Sequence, residues 1–249
     1  MSYRATTIAL LAEKQPQVAR ISYSKMSIRT RALVFSTFFG SCIAIGLLLT
    51  GMTTNHWIQA YPRKGNSTLK GEVNMGLFDS THHLDSGFGV RSKQVDVYSF
   101  IRTEHGDTSS SLWLLTTLGT GFGLLACAVA AIAAVLKSAS AAKKGGTMFL
   151  LLASNIAAAV TQMIAFVAWL VQFYQYLIQN VLIAEHQQQH WYSNGLAHLG
   201  YSFYLVVLST LVVLINITIL LYARRREYRH RHRSEPETKD KHQANIMLY

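Results

Sequence analysis

Four long apolar runs without a charged side chain constrain this sequence more than any other feature. They cover residues 32–51, 111–136, 147–170 and 201–223. Each is long enough for an α-helix to cross a bilayer core of about 30 Å. Buried helices of soluble proteins rarely stay uncharged over such a length. The sequence therefore predicts four transmembrane helices within a membrane domain at 32–223.

The charges between these runs predict the orientation of the chain. Its 249 residues include 23 Lys plus Arg against 12 Asp plus Glu. Segments 1–31, 137–146 and 224–249 together carry a net +12, whereas loops 52–110 and 171–200 sum to −1. Because basic loops stay on the cytoplasmic side, we expect a multi-pass plasma-membrane protein with both termini in the cytoplasm. Topology accounts for the basic excess, so no nucleic-acid partner is expected.

The interior of the four runs argues against ion-coupled transport, because it contains no Asp, Glu, Lys, Arg or His. Asn155 and Gln162 lie seven residues apart on one helix face, so they either form interhelical hydrogen bonds or line a small polar cavity. Small residues around Gly40 and Gly119 predict close helix packing. Packing within one bundle and packing in a homo- or hetero-oligomer both remain open.

The sequence offers no recognisable catalytic chemistry. It contains no nucleophile–base arrangement, phosphate-binding loop or HExxH motif, so we expect neither an enzyme nor a cofactor. His186 and His190 are four apart, the spacing of a metal-binding pair on a helix, and His82-His83 in the first loop could in principle approach them. Because no carboxylate or cysteine completes a clear set, ordinary surface histidines are the expectation and no metal is predicted.

The two outer loops carry local signals. Asn66-Ser67-Thr68 is a glycosylation sequon, and Trp57 fits a membrane-interface anchor. The pattern of Val95 to Ile101 is compatible with a strand. Segment 171–190 contains neither Gly nor Pro, so we expect the third helix to continue beyond the membrane and to end before Ser193.

The first loop also carries ordered motifs: Trp57, then Gly76-Leu77-Phe78, then Gly87-Phe88-Gly89-Val90-Arg91. Four spans, a long first loop, a tryptophan after span one and a Gly-Leu-aromatic motif resemble the claudin-like superfamily. The sequon ahead of Gly-Leu-Phe, followed by a glycine-rich segment with an arginine, resembles its clarin branch more closely. This resemblance implies a four-helix transmembrane bundle, all-α apart from a small extracellular β-sheet built from loop one.

The clarin resemblance also implies a function. It predicts an integral membrane organiser in sensory-cell or synaptic membranes, which links the membrane to scaffold proteins and the actin cytoskeleton. Two alternatives remain open, a claudin-like cell–cell junction protein and a channel or auxiliary channel subunit.

The C-terminal segment 224–249 carries two candidate binding sites for partners. An arginine cluster directly after the fourth span suits anionic lipids of the cytoplasmic leaflet, and it comprises Arg224, Arg225, Arg226, Arg229, Arg231 and Arg233. The chain then ends in the apolar Met247-Leu248-Tyr249. A free carboxylate after such residues suits the groove of a PDZ scaffold domain, where the peptide adds a strand.

Overall fold

The computed structural model describes residues 28–65, 67–139 and 146–246, with the side chains of 230–246 left aside. Five α-helices occur in this part of the chain: α1 Ile28–Thr53, α2 Val97–Ser138, α3 Gly146–Gln172, α4 Ala184–Gln188 and α5 Tyr201–Ile246. Helices α1, α2, α3 and α5 are long and apolar enough to cross a membrane. The prediction of four such helices is confirmed.

The four long helices form one bundle with two different ends. Helix α2 packs on α1 and α3, and α5 packs on α1 and α3. The ends near Thr53, Val97, Gln172 and Tyr201 lie together and carry the strands, so we call this the sheet end. The opposite ends carry Arg29, Arg31, Lys137 and the arginines after Ala223. We call it the basic end.

The sheet end contains a five-stranded antiparallel sheet with the strand order β5-β4-β3-β1-β7. A separate two-stranded sheet joins β2 and β6. The strands are β1 Ile58–Ala60, β2 Arg63–Lys64, β3 Gly71–Met75, β4 Asp79–Asp85, β5 Val90–Asp96, β6 Trp191–Tyr192 and β7 Ala197–Leu199. The expected sheet is present, but loop one does not build it alone. Strands β6 and β7 come from the second loop and tie the two loops together.

Helix α2 begins well before the apolar run that predicted it. The carboxylate of Asp96 accepts the backbone N–H of Ser99 at 2.7 Å and caps the helix start. The suggested strand is therefore wrong beyond Asp96, where β5 ends, because the chain turns helical at Val97. Gly106 breaks the regular helix with a φ of 77°, a conformation that glycine adopts without steric cost.

The third helix continues past the apolar run 147–170 to Leu177, as predicted, but its expected extension to His190 is wrong. After α3 the chain makes a π-helical turn, Phe173–Leu177, and then leaves helical geometry. Asn180 stabilises the break, since its amide both donates to the carbonyl of Leu182 and accepts its N–H, each at 2.9 Å. Val181 and Leu182 are fully buried in the core, which a straight projecting helix would not allow.

Buried polar side chains inside the bundle are mostly satisfied by neighbouring helices. Thr210 donates to Gln162 Oε1 at 3.2 Å, and Asn216 Nδ2 donates to the carbonyl of Thr37 at 3.4 Å. Asn155 instead donates to Leu151 of its own helix at 2.8 Å. The expected interhelical bonding therefore holds for Gln162 and not for Asn155.

Candidate functional site at the sheet end

Trp57 fastens the sheet to the helices from inside the core. Its indole is fully buried, its Nε1–H donates to the carbonyl of Gly51 at 2.6 Å, and its ring meets Trp169 edge-to-face at 4.9 Å. A buried tryptophan normally finds such a partner for its N–H group. The expected membrane-interface anchor is therefore wrong, since Trp57 is a core residue.

The Gly76-Leu77-Phe78 motif is the second fastening point. A Cβ at Gly76 would lie 2.8 Å from the Cα of Asn55, so only glycine fits at this position without a shift of the backbone. The side chain of Leu77 is fully buried, and its carbonyl accepts the Nε1–H of Trp113 at 2.7 Å. The carbonyl of Phe78 accepts the backbone N–H of Val97 at 2.9 Å. The motif thus joins the sheet to the end of α1 and the start of α2.

The glycine-rich segment forms the tip of the β4–β5 hairpin. Gly87 and Gly89 have φ values of 86° and 125°, which ordinary residues rarely adopt. The hydroxyl of Ser86 donates to the carbonyl of Gly89 at 2.9 Å and closes the turn. Phe88 at the tip is fully exposed, and Arg91 is exposed on edge strand β5. The turn therefore presents an apolar ring to the surroundings.

A pair of buried histidines lies between the sheet and the second loop. His82 on β4 and His186 on α4 have ring centroids 5.5 Å apart, and the side chains are only 1% and 8% exposed. Their four ring nitrogens have no hydrogen-bond partner in the described part of the chain. Sequence reasoning paired His186 with His190 and named His82-His83 only as residues that could approach that pair. The signal it missed is the alternation in β4, where Ser80, His82 and Leu84 share the buried face.

The electrostatics of this pair favour neutral imidazoles. Burial, together with smaller contributions from charge repulsion by His186, Lys93 and His83, lowers the pKa of His82 to about 4. Burial also lowers the pKa of His186, which Glu185 partly opposes. Lys93 forms an ion pair with Glu185 beside the histidines and holds the pKa of that carboxyl below its usual value.

Further contacts dock the second loop onto α2. The carboxylate of Glu104 accepts the N–H of Ala184 at 2.8 Å, at the start of α4. The ring of His105 lies 3.0 Å from the carbonyl of Asn180. Burial is the main reason that the pKa of His105 is lowered. The histidine pair is therefore one part of a wider contact between the two loops.

The described residues contain no group of three or more His, Cys, Asp or Glu side chains arranged to hold a metal ion. His190 adopts a φ of 65° after α4 has ended, so it does not share a helix face with His186. The predicted spacing pair is thus not formed, and His82 takes the place of His190 beside His186.

The remaining predicted site residues lie at the basic end or outside the described residues. Helix α5 continues past the fourth span, and Arg224, Arg225 and Arg229 are exposed on it, while Arg226 is half-buried. The side chains of Arg231 and Arg233 lie outside the described part, as do Asn66 and the terminal Met247, Leu248 and Tyr249. Their predicted roles stay predictions.

A scan against protein-family models and a search of curated proteins each returned no significant match. The class of the protein therefore rests on its own architecture. Four apolar helices joined in one bundle, with a small sheet at one end, define a multi-pass membrane protein.

Proposed function

We propose that this chain is a clarin-like organiser of the plasma membrane, with its sheet end outside the cell and its basic end in the cytoplasm. The observation that carries the proposal is this two-ended architecture. One end presents a sheet fastened by Trp57 and the Gly76-Leu77-Phe78 motif, and the other presents exposed arginines on a helix that continues past the membrane. The positive-inside rule favours this orientation.

The interior of the bundle supports an organiser better than a channel subunit. Gln162 accepts from Thr210, and Asn216 donates to Thr37, so these polar groups are used in holding helices together. Gly119 lies so close to α3 that an added Cβ would come within 2.9 Å of the carbonyl of Thr161. Such contacts suit a rigid scaffold, whereas conduction needs a continuous polar path.

Each end of the organiser has its own partners. In the cytoplasm, Arg224, Arg225 and Arg229 meet anionic lipid, at about 1 kcal/mol per residue near the surface. The terminal Tyr249 carboxylate binds a PDZ scaffold that connects to actin, as the clarin resemblance implies for sensory-cell or synaptic membranes. On the outer side, Asn66 carries a glycan.

A comparison of two full-length proteins tests the cytoplasmic part. One has the native terminus and the other has three glycines added after Tyr249. The added glycines move the carboxylate away from the terminal side chains that a PDZ groove binds. Both carry a fluorescent tag at the N-terminus and are expressed in cells with actin-rich projections. We expect the native protein to be enriched in the projections and the extended protein to spread over the plasma membrane. Equal distribution of the two would rule out recruitment through the terminus.

Phe88 favours a claudin-like junction protein as a second candidate. A fully exposed aromatic ring on a hydrogen-bonded hairpin tip is suited to a partner on a neighbouring cell. Mixed cultures separate the candidates. A junction protein accumulates at contacts between two expressing cells and loses this accumulation in Phe88→Ser. An organiser shows the same density at contacts whether or not the neighbouring cell expresses it.

A further inference from the structure

The histidine pair is a contact between two separate loops, so a change in the charge of either ring acts on the contact between them. His82 belongs to the sheet of loop one, while His186 lies on α4 in loop two. Both side chains are more than nine-tenths buried, and none of their ring nitrogens has a partner among the described residues. An imidazole in such a place is stable while neutral, because a buried charge without an acceptor is costly.

The neighbouring charges give a protonated pair no adequate counter-charge. Lys93 lies opposite His82 in the register of β4 and β5, and its positive charge repels a protonated His82. Glu185 attracts a charged His186, but it is engaged by Lys93. From α2, Glu104 faces the start of α4 through Ala184 and Gln187. On β4, His83 adds a further repulsion.

We propose that His82 and His186 form a proton-sensitive latch, which holds α4 against the sheet at neutral pH and releases it in an acidic compartment. Releasing α4 lets both imidazoles take up protons in water and move apart. The Lys93–Glu185 ion pair does not drive this opening, because the lowered pKa of Glu185 keeps the carboxylate charged as the histidines protonate. A metal centre is the weaker alternative, since no third ligand completes a set among the described residues. The latch goes beyond the proposed function and does not depend on it.

The direction of the pH effect follows from linkage. The pKa of docked His82 is about 4, below the ordinary 6.5 that it regains when α4 is released. Docking is therefore fully favoured above pH 6.5 and is weakened as the pH falls towards 4. For His82 alone, this raises the opening equilibrium about 20-fold between neutral buffer and a pH of about 5. His186 acts in the same direction, since its pKa is lowered too.

Hydrogen–deuterium exchange of the full-length protein in lipid nanodiscs tests the latch. The measured quantity is the protection of amides in segment 184–190, normalised for the intrinsic pH dependence of exchange. In the wild type we expect protection to fall about 20-fold or more between neutral buffer and a pH of about 5. Unchanged protection in the wild type would overturn the proposal, whatever the variants show.

Two variants separate the latch from general acid sensitivity. In the double variant His82→Phe, His186→Phe each ring keeps a place in the contact but takes no proton, so we expect protection to persist in acid. The matched control His83→Gln removes the next histidine on β4, whose side chain lies on the other face, and should behave as the wild type. An equal fall in the double variant, or a lost pH response in His83→Gln, would contradict the latch.

A third variant covers the case in which the double variant lacks protection at neutral pH. His186→Gln changes the less buried partner and leaves His82 in place. We expect it to retain a smaller fall than the wild type, because one of the two protonation sites has been removed. A fall as large as that of the wild type would count against the pair.

Discussion

Replacing Trp57 with Phe tests whether the hydrogen bond inside the core holds the sheet to the bundle. Trp57 donates to the carbonyl of Gly51 at 2.6 Å. Trp169 provides a matched control, because its ring is equally buried against Trp57 but its Nε1–H has no partner in the described part of the chain. Both substitutions remove the same atoms, so the difference between them isolates the bond.

The expected difference follows from the cost of an unsatisfied buried group. Trp57→Phe leaves the carbonyl of Gly51 without its donor, which costs about 1–3 kcal/mol. Trp169→Phe removes an N–H that is itself unsatisfied, so it loses ring volume and no bond. In a chain of this size each kcal/mol moves the unfolding midpoint by about 2–4 °C. We expect Trp57→Phe to melt at least about 2 °C below Trp169→Phe.

The chain supplies its own reporter for this measurement. It contains two cysteines, of which Cys42 is exposed on the bundle surface and Cys127 is only 1% exposed. In a Cys42→Ser background, a thiol-reactive dye labels Cys127 when the bundle opens on heating. Equal melting midpoints for the two phenylalanine variants would refute the role given to the Trp57 hydrogen bond.

Three further predictions concern helix packing and use the same assay. Gly119→Ala should lower the midpoint, because its Cβ would lie 2.9 Å from the carbonyl of Thr161 and backbone cannot move aside; the expected cost is about 1–3 kcal/mol. Gly121→Ala, whose Cβ meets nothing within 4 Å, should gain up to about 1 kcal/mol from helix propensity; a loss as large as that of Gly119→Ala would refute the packing argument. As a single substitution, Gly40→Ala should destabilise the protein, because the side-chain amide of Asn216 occupies the space of the new Cβ. In an Asn216→Ala background the same substitution should lower the midpoint much less; strictly additive effects of the two substitutions would contradict this.

The four spans were predictable because a missing charge is a property of the sequence itself. An uncharged apolar run such as 201–223 predicts a membrane span by its own length and composition, whatever the rest of the chain does. The helix ends were not predictable in this way. Residues 97–110 carry Arg102, Glu104 and Asp107. Hydropathy therefore gives no sign that α2 begins at Val97, well before the apolar run 111–136. Its start is set locally by the carboxylate of Asp96.

The role of Trp57 shows a second limit. A tryptophan just after a span is typical both of an interface anchor and of a core residue. The choice depends on Trp169 in α3 and on the carbonyl of Gly51, which together enclose the indole. Trp169 is distant in sequence, so spacing within loop one carries no information about it.

The histidine contact depends on strand register, which sequence reasoning left open. In β3, Gly71, Val73 and Met75 pair with Leu84, His82 and Ser80, so all six residues share one buried face. A slip by one residue would turn His83 towards α4 and His82 away from it. The apolar side chains of β3 fix the register, since Val73 and Met75 belong to the core. The position of His82 is therefore a consequence of β3 packing, and a β3 variant such as Val73→Thr should weaken the sheet and the pH response together. A weakened sheet with an intact pH response would show that the contact between His82 and α4 does not depend on the packing of β3.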